Sequence, residues 1–449
     1  MQLAKETLTG HVGPEILMPT SLRGIAKKAK EFKQHRFENL YKILNFHALK
    51  VAWYDINKQA AIGTDQISAQ DFAKNLDINL VNLVDKLKGK RYKAKLVRRV
   101  EIAKDNGKKR ALGIPALADK LVQRAVAKIL EAIYEKDFLP CSHGYRPKRS
   151  SHTAIKHLCK ELQVNKYSYI VEADIKGFFD NIDHQWMLKM LEERIRDKAF
   201  LNLINKWLKA GILKENGKVV HPITGTPQGG IVSPILANIY LHYVLDLWFE
   251  KVVKANCQGE AYLCRYADDF VCAFRYKEDA ERFYRVLGKR LKKFNLELAE
   301  EKTNIISFSR FRKEEGNSFD FVGFEIRWGV CQKGKDSIRR RTSRNKLRKS
   351  LKNFKEWCKD NRNKRLRNLF PMLNLKLRGY YNFYGIIGNI RSLYEFYDKA
   401  KVILYKWLNR RSQRRSFNWK EFKRILDIYG MMKPIIMENN NEQVKFEYL

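Results

Sequence analysis

Two adjacent aspartates interrupt a β-forming run at Tyr262-Leu263-Cys264-Arg265-Tyr266-Ala267-Asp268-Asp269-Phe270-Val271-Cys272-Ala273-Phe274. Asp tolerates turns, so the run reads as strand–turn–strand with Asp268-Asp269 at the bend. Adjacent carboxylates near a core repel each other and resist desolvation. A hard divalent cation such as Mg²⁺ offsets both costs. Upstream, Val171-Glu172-Ala173-Asp174 is an apolar strand ending in a carboxylate that could sit beside the bend. Three such carboxylates can hold two metal ions about 3.5–4 Å apart, the arrangement for in-line attack on a phosphate. The competing reading is a surface acidic turn and an unrelated strand-end Asp. Between these acids, the Gly/Pro loop from Thr224 to Pro234 opens directly onto a helix. Small residues there permit close backbone approach and a helix start favours anions, although an ordinary turn and N-cap would read the same way.

The elements that must position these acids follow from periodicity. Apolar spacing predicts helices over 37–56, 72–87, 119–134, 186–213, 233–253 and 279–294. Strand-like stretches cover 92–102, 110–114, 169–174, 262–274 and 319–328, and Asn106-Gly107 marks a hairpin tip. Residues 1–33 read as a loosely packed polar extension. From Arg339 to Arg367 the chain carries 14 Lys/Arg against two acids, Glu356 and Asp360. Beyond it, Leu393, Phe396, Ala400, Ile403, Leu404 and Trp407 form a helical stripe. The expected division is an extension (1–36), a mixed α/β domain (37–330) and a basic helical domain (331–449).

Composition bounds the function. The 449 residues hold 89 Lys+Arg and 49 Asp+Glu, a net charge of +40. Such a chain repels itself unless its partner is a polyanion, nucleic acid first and an anionic membrane surface second. With 45% hydrophobic residues there is material for real cores. No apolar stretch approaches the roughly 18–20 residues of a membrane span, and the N-terminus lacks an apolar signal core. A cytoplasmic, bacterial setting is expected, with nucleoid association during work on DNA. Seven scattered cysteines without a C-x-x-C pair read as reduced thiols.

In this order, the motifs resemble reverse transcriptases, and their wording resembles the group II intron-encoded reverse transcriptase/maturases. The resemblance rests on RYADDFVCAF (265–274), HPITGTPQGGIVSPILANIYL (221–241), VEADIKGFFDNIDH (171–184), LGIPALADKLVQ (112–123), SHGYRP (142–147), FDFVGF (319–324), LRGYYNFYGIIGN (377–389) and WLNRRSQRRSFNW (407–419). It implies an α+β right-hand polymerase, with fingers and a ferredoxin-like palm, then an all-α thumb/maturase domain. Asp174, Asp268 and Asp269 match the catalytic metal ligands, with the Ile175 carbonyl as an extra ligand. Phe179 matches the bulky residue under the incoming sugar, Lys104 and Arg110 the fingertip cations on the triphosphate, and Gln228 a residue near the templating pair. FDFVGF resembles the primer grip. Lys302 matches a lysine placed to protonate the leaving pyrophosphate, with a solvated surface lysine as the alternative. The implied cofactor is two Mg²⁺. The implied partners are the parent group II intron RNA, an RNA template/DNA primer duplex, dNTPs and target DNA, with a homodimer also allowed for. Many relatives end in an HNH nuclease with paired cysteines. Here little follows Pro434 and no cysteine lies beyond Cys358, so second-strand cleavage is not expected.

The basic run is read as an RNA and primer surface at Arg339, Arg340, Arg341, Arg344, Lys346, Arg348 and Lys349. So much like charge against only two acids repels itself unless phosphates relieve it. The interleaved aromatics Tyr380, Tyr381, Phe383, Tyr384 and Trp407 read chiefly as thumb core. Two rival functions stand beside the polymerase: a splicing factor that mainly binds RNA, and a reverse transcriptase of this lineage recruited to phage defence or CRISPR adaptation. A nuclease using the same carboxylates is a third.

Overall fold

The computed structural model describes residues 20–103, 109–226, 229–311, 317–331, 333–411 and 416–438. In chain order the elements begin with helices α1 (Thr20–Glu31), α2 (Phe46–Asp55), α3 (Ala69–Lys74) and α4 (Leu76–Lys88). Strands β1 (Val97–Ala103) and β2 (Lys109–Ile114) precede α5 (Leu117–Tyr134) and α6 (Ser151–Val164). Then come β3 (Tyr169–Ala173), α7 (Phe178–Asn181), α8 (His184–Glu192), α9 (Lys198–Leu208), β4 (Ile212–Leu213), β5 (Val219–Val220) and α10 (Ser233–Leu241). The second half holds β6 (Ala261–Tyr266), β7 (Asp269–Phe274), α11 (Lys277–Lys292), β8 (Asn304–Ser307), β9 (Ser318–Phe321), β10 (Phe324–Val330) and β11 (Asp336–Thr342). Four helices close it: α12 (Arg344–Asn361), α13 (Leu366–Tyr384), α14 (Ile390–Leu408) and α15 (Trp419–Tyr429).

Two compact units result, one from residues 1–139 and 179–243, the other from 140–178 and 244–449. In the first, β1 and β2 pair antiparallel from Arg98↔Ile114 to Ala103↔Lys109, and the sheet order is β2-β1-β4-β5. The expected hairpin tip, 104–108, lies outside the described residues. Residues 20–31 are not a loose extension: Leu22, Ile25 and Ala29 recur at helical spacing, are buried, and seat α1 on α5. The expected helix over 37–56 is broken where the Asn45 side chain accepts the Ala48 N–H at 3.0 Å and starts α2 afresh. That over 72–87 is divided between α3 and α4 at Asn75. Likewise 186–213 becomes α8 and α9, because Asp197 caps a new helix, and then β4, which pairs parallel with β1.

The second unit contains an antiparallel sheet ordered β6-β7-β3-β8. Counted along the chain this is second, third, first, fourth, the order of a ferredoxin-like split βαβ. A separate sheet, β11-β10-β9, carries the FDFVGF turn. One apolar core joins α6 and the palm strands (Ile170, Cys264, Val271) to β9–β10 (Phe319, Phe324) and the terminal helices (Phe354, Leu373, Phe396, Leu404, Phe422). Compactness therefore draws a different line from composition, because apolar burial runs straight through residue 331. The basic run also starts earlier than a helix: Arg339, Arg340 and Arg341 lie on β11, and α12 begins at Arg344. Among the described residues no helix is long and apolar enough to cross a membrane.

Candidate active site

Strand pairing places the three acids. In the second unit β3 and β7 are antiparallel with Ala173 opposite Phe270, so Asp174 emerges beside Asp269 at the same sheet end. β6 and β7 close with Tyr266 opposite Asp269, leaving Ala267 and Asp268 as the hairpin's central residues. Ala267 has φ +59°, left-handed backbone that such a turn normally gives to Gly. Past Asp174 the chain stays anchored: its carbonyl accepts the Ala299 N–H at 2.9 Å, and Ile175 bridges Leu298.

The acids sense one another. Asp269 touches solvent, yet the surrounding protein pushes its acid up to about 7, helped by Asp268 and Asp174 and opposed by the Val322 N–H and Lys346. Solvent contact tempers that rise. Asp174 turns to Lys302, whose ammonium donates to its Oδ2. This bond, with Asp268 adding, raises the Lys302 pKa, and partial burial works against it. Among the described residues no three His, Cys, Asp or Glu side chains stand close enough together to hold a metal by themselves. The donor set still fits a hard cation. Three mutually repelling carboxylates, one of them already borrowing an ammonium, are short of positive charge.

Four sequence-predicted residues belong to the other unit or lie outside the description. Phe179 is buried, and its carbonyl accepts the Thr226 N–H at 2.8 Å. The loop that begins there is seated on the same turn: Gly225 donates to the Ile182 carbonyl at 2.7 Å. Gly225 has φ +91°, and a Cβ on it would stand 2.7 Å from the Asp180 carbonyl oxygen. Gly229 similarly presses on Gly113 of β2, the strand whose Arg110 pairs with Ile102 in the backbone. The structure thus brings the Phe179 turn, the Gly loop and β2 together. Lys104 and Gln228 lie outside the described residues.

The predicted RNA-facing cations divide in two. On β11, Arg339 donates to the Val330 carbonyl, Arg340 to the Ile387 carbonyl at 2.8 Å, and Arg341 to Glu325 at 2.6 Å. Arg340 and Arg341 are half-buried on these partners, whereas Arg339 stays exposed. On α12, Arg344, Lys346 and Arg348 are exposed and Lys349 is half-buried. Lys346 also lies near Asp269 and Asp320 and moderates both. Tyr381 and Tyr384 are core residues, as expected for most of the aromatics.

Three residues escaped the sequence reading. Glu172 of β3 accepts the Asp320 N–H at 2.7 Å, and burial, with Asp320 and Asp269 adding, pushes its acid to about 7. Arg265 and Asp246 are fully buried and paired. The available signal was one charge inside each apolar run: Glu172 in Ile170–Ala173, Arg265 in Leu263–Tyr266, Asp246 in Val244–Trp248.

The chain is similar to several known proteins. A model of the reverse transcriptase (RNA-dependent DNA polymerase) family matches residues 102–326. The group II intron-encoded protein LtrA of Lactococcus lactis subsp. cremoris is 31% identical over 463 aligned positions, 84% of this chain and 75% of its own length. Protein YkfC of Escherichia coli K12 is 37% identical over 46% of this chain and 62% of its own. Nuclear intron maturase 4 of Arabidopsis thaliana is 27% identical over 31% of this chain and 17% of its own. A telomerase structure from Candida albicans, solved with a fragment of telomeric RNA, overlays at TM-score 0.43 with 16% identity, covering 80% of this chain and 67% of that one. That overlay is too slight to carry weight.

Proposed function

The chain belongs to the reverse transcriptases encoded by group II introns, and from that premise we propose which of its residues polymerise DNA on RNA. It is an RNA-directed DNA polymerase with a role in splicing its intron, its partners are nucleic acids, and its family uses divalent metal ions. The finer reading is that Asp174, Asp268 and Asp269 hold two Mg²⁺, with the Ile175 carbonyl as a further ligand. When bound, these ions supply Lewis-acid activation of the primer 3′-OH and stabilise charge on the phosphates. Lys302, which donates to Asp174 here, would give its proton to the leaving pyrophosphate. Phe179 excludes a 2′-OH under the incoming sugar. Lys104, Arg110 and Gln228 bind the dNTP, Arg110 by a two-oxygen grip that Lys cannot make.

In this reading residues 37–330 act as fingers and palm and 331–449 as thumb and maturase. The exposed cations of α12 hold the intron RNA and the primer duplex. Target DNA, a homodimeric assembly, and a cytoplasmic site of action with nucleoid association belong to the same proposal. The observation that carries it is the β3–β7 register, which sets Asp174 beside the Asp268-Asp269 hairpin. The test is primer extension on an RNA template, wild type against Asp268→Ala. Extension should vanish in the variant while RNA binding persists; equal extension by both proteins would falsify the site.

A further inference from the structure

The guanidinium of Arg265 is completely buried, and so is the carboxylate of Asp246. Arg265 Nε donates to Asp246 Oδ1 at 2.7 Å, and Nη2 to Oδ2 at 2.6 Å. Nη2 also reaches Ser142 Oγ at 2.7 Å, and Nη1 donates to the Ala267 carbonyl at 2.9 Å. Stability alone is a poor reason to keep such a pair, because apolar residues of similar volume usually serve the fold as well. What the apolar pair cannot supply is a fixed donor aimed at one carbonyl. That carbonyl belongs to the left-handed Ala267, the residue before Asp268. A strained backbone persists only where its surroundings over-determine it.

A second segment presses on the same turn. Arg265 donates its backbone N–H to the Cys141 carbonyl and accepts that of His143, each at 2.8 Å. At Gly144 a Cβ would fall 2.3 Å from the Ala267 nitrogen, so only Gly lets this strap lie flat against the turn. The SHGYRP motif thereby acquires a role that its sequence did not suggest.

We propose that Arg265, locked by Asp246 and Ser142, is a positioning residue for polymerisation: it and the 142–144 strap hold the Ala267 turn so that Asp268 is aimed at the reacting phosphate. This rests on the assignment of Asp268 to the chemistry, so Asp268→Ala runs alongside as the control. The informative variants are Arg265→Lys, which keeps the charge and loses the fork, Gly144→Ala, which removes no charge, and the apolar pair Arg265→Met with Asp246→Leu. In the full-length protein the apolar pair should melt close to wild type. It should also keep its dNTP KM and its affinity for primer–template, and lose about a hundredfold in kcat, the scale set by a misplacement of about 1 Å. Gly144→Ala and Arg265→Lys should show the same split between kcat and KM. A folded apolar pair with wild-type kcat overturns the proposal. So does a loss of kcat matched by an equal loss of primer–template affinity, or failure of all three variants to fold. An active Asp268→Ala would instead remove the underlying site.

Discussion

The Asp268-Asp269 hairpin and the first turns of α12 are both dense in charge, yet they are built in opposite ways. Around the hairpin several charged groups have a named protein partner: Asp174 has Lys302, Arg265 has Asp246, and Glu172 has the Asp320 N–H. On α12, Arg344, Lys346 and Arg348 stand exposed along one helix. Preorganised charge in a crowded site is expensive to assemble and sensitive to small displacement. Exposed charge is cheap, interchangeable and screened by salt. Under the proposed assignment chemistry and grip are separable, with Arg340 and Arg341 of β11 paired inside the protein and Arg339 exposed.

The largest expected effect breaks the hairpin side. Asp174→Ala should cut single-nucleotide incorporation about a thousandfold or more, roughly 4 kcal/mol of transition-state stabilisation. RNA affinity in a filter-binding assay should stay within about twofold. A parallel fall in affinity would show that chemistry and grip are one structure.

Next comes acidity. Glu172 has its folded pKa raised to about 7, from near 4.5 for an ordinary glutamate. The fold therefore favours the protonated form. Its contribution is complete below about pH 4.5 and is lost as pH rises through 7. Glu172→Gln should flatten the decline in stability between pH 5 and 8, by about 2 kcal/mol at the alkaline end. Chemical denaturation across that range tests it, and an unchanged slope would assign the dependence elsewhere. The same series on the α12 variants should match wild type.

On the grip side, Arg344→Gln with Arg348→Gln should weaken RNA binding about fivefold to tenfold at moderate salt. The slope of log K against log salt should shrink by about 0.7 to 0.9 for each phosphate that is no longer neutralised. Saturating single-turnover rates should be retained. The smallest effect is expected at Lys352, exposed on the same helix. Lys352→Gln should change stability by no more than about 0.5 kcal/mol and alter binding by about twofold. A large loss there would mean that individual cations, not their sum, carry the grip.

Residue types and order along the chain already announced the acids, the Gly loop and the helical thumb. Periodicity located α5, α11 and α14 within a few residues, because each buries a regular stripe. It merged α8 with α9 because their apolar spacing runs on, and only the Asp197 cap separates them. It also missed α1, whose short apolar stripe lies among lysines.

Sequence by itself determined which side chains could do chemistry, since two adjacent carboxylates inside a β run have few other uses. Tertiary structure alone decided that residue 174 meets 269 across paired strands, that Arg265 turns inward to Asp246, and that Arg341 turns to Glu325. The reason is that charge, volume and local propensity are properties of a residue. Strand register and burial are settled by partners elsewhere in the chain, which no local pattern encodes.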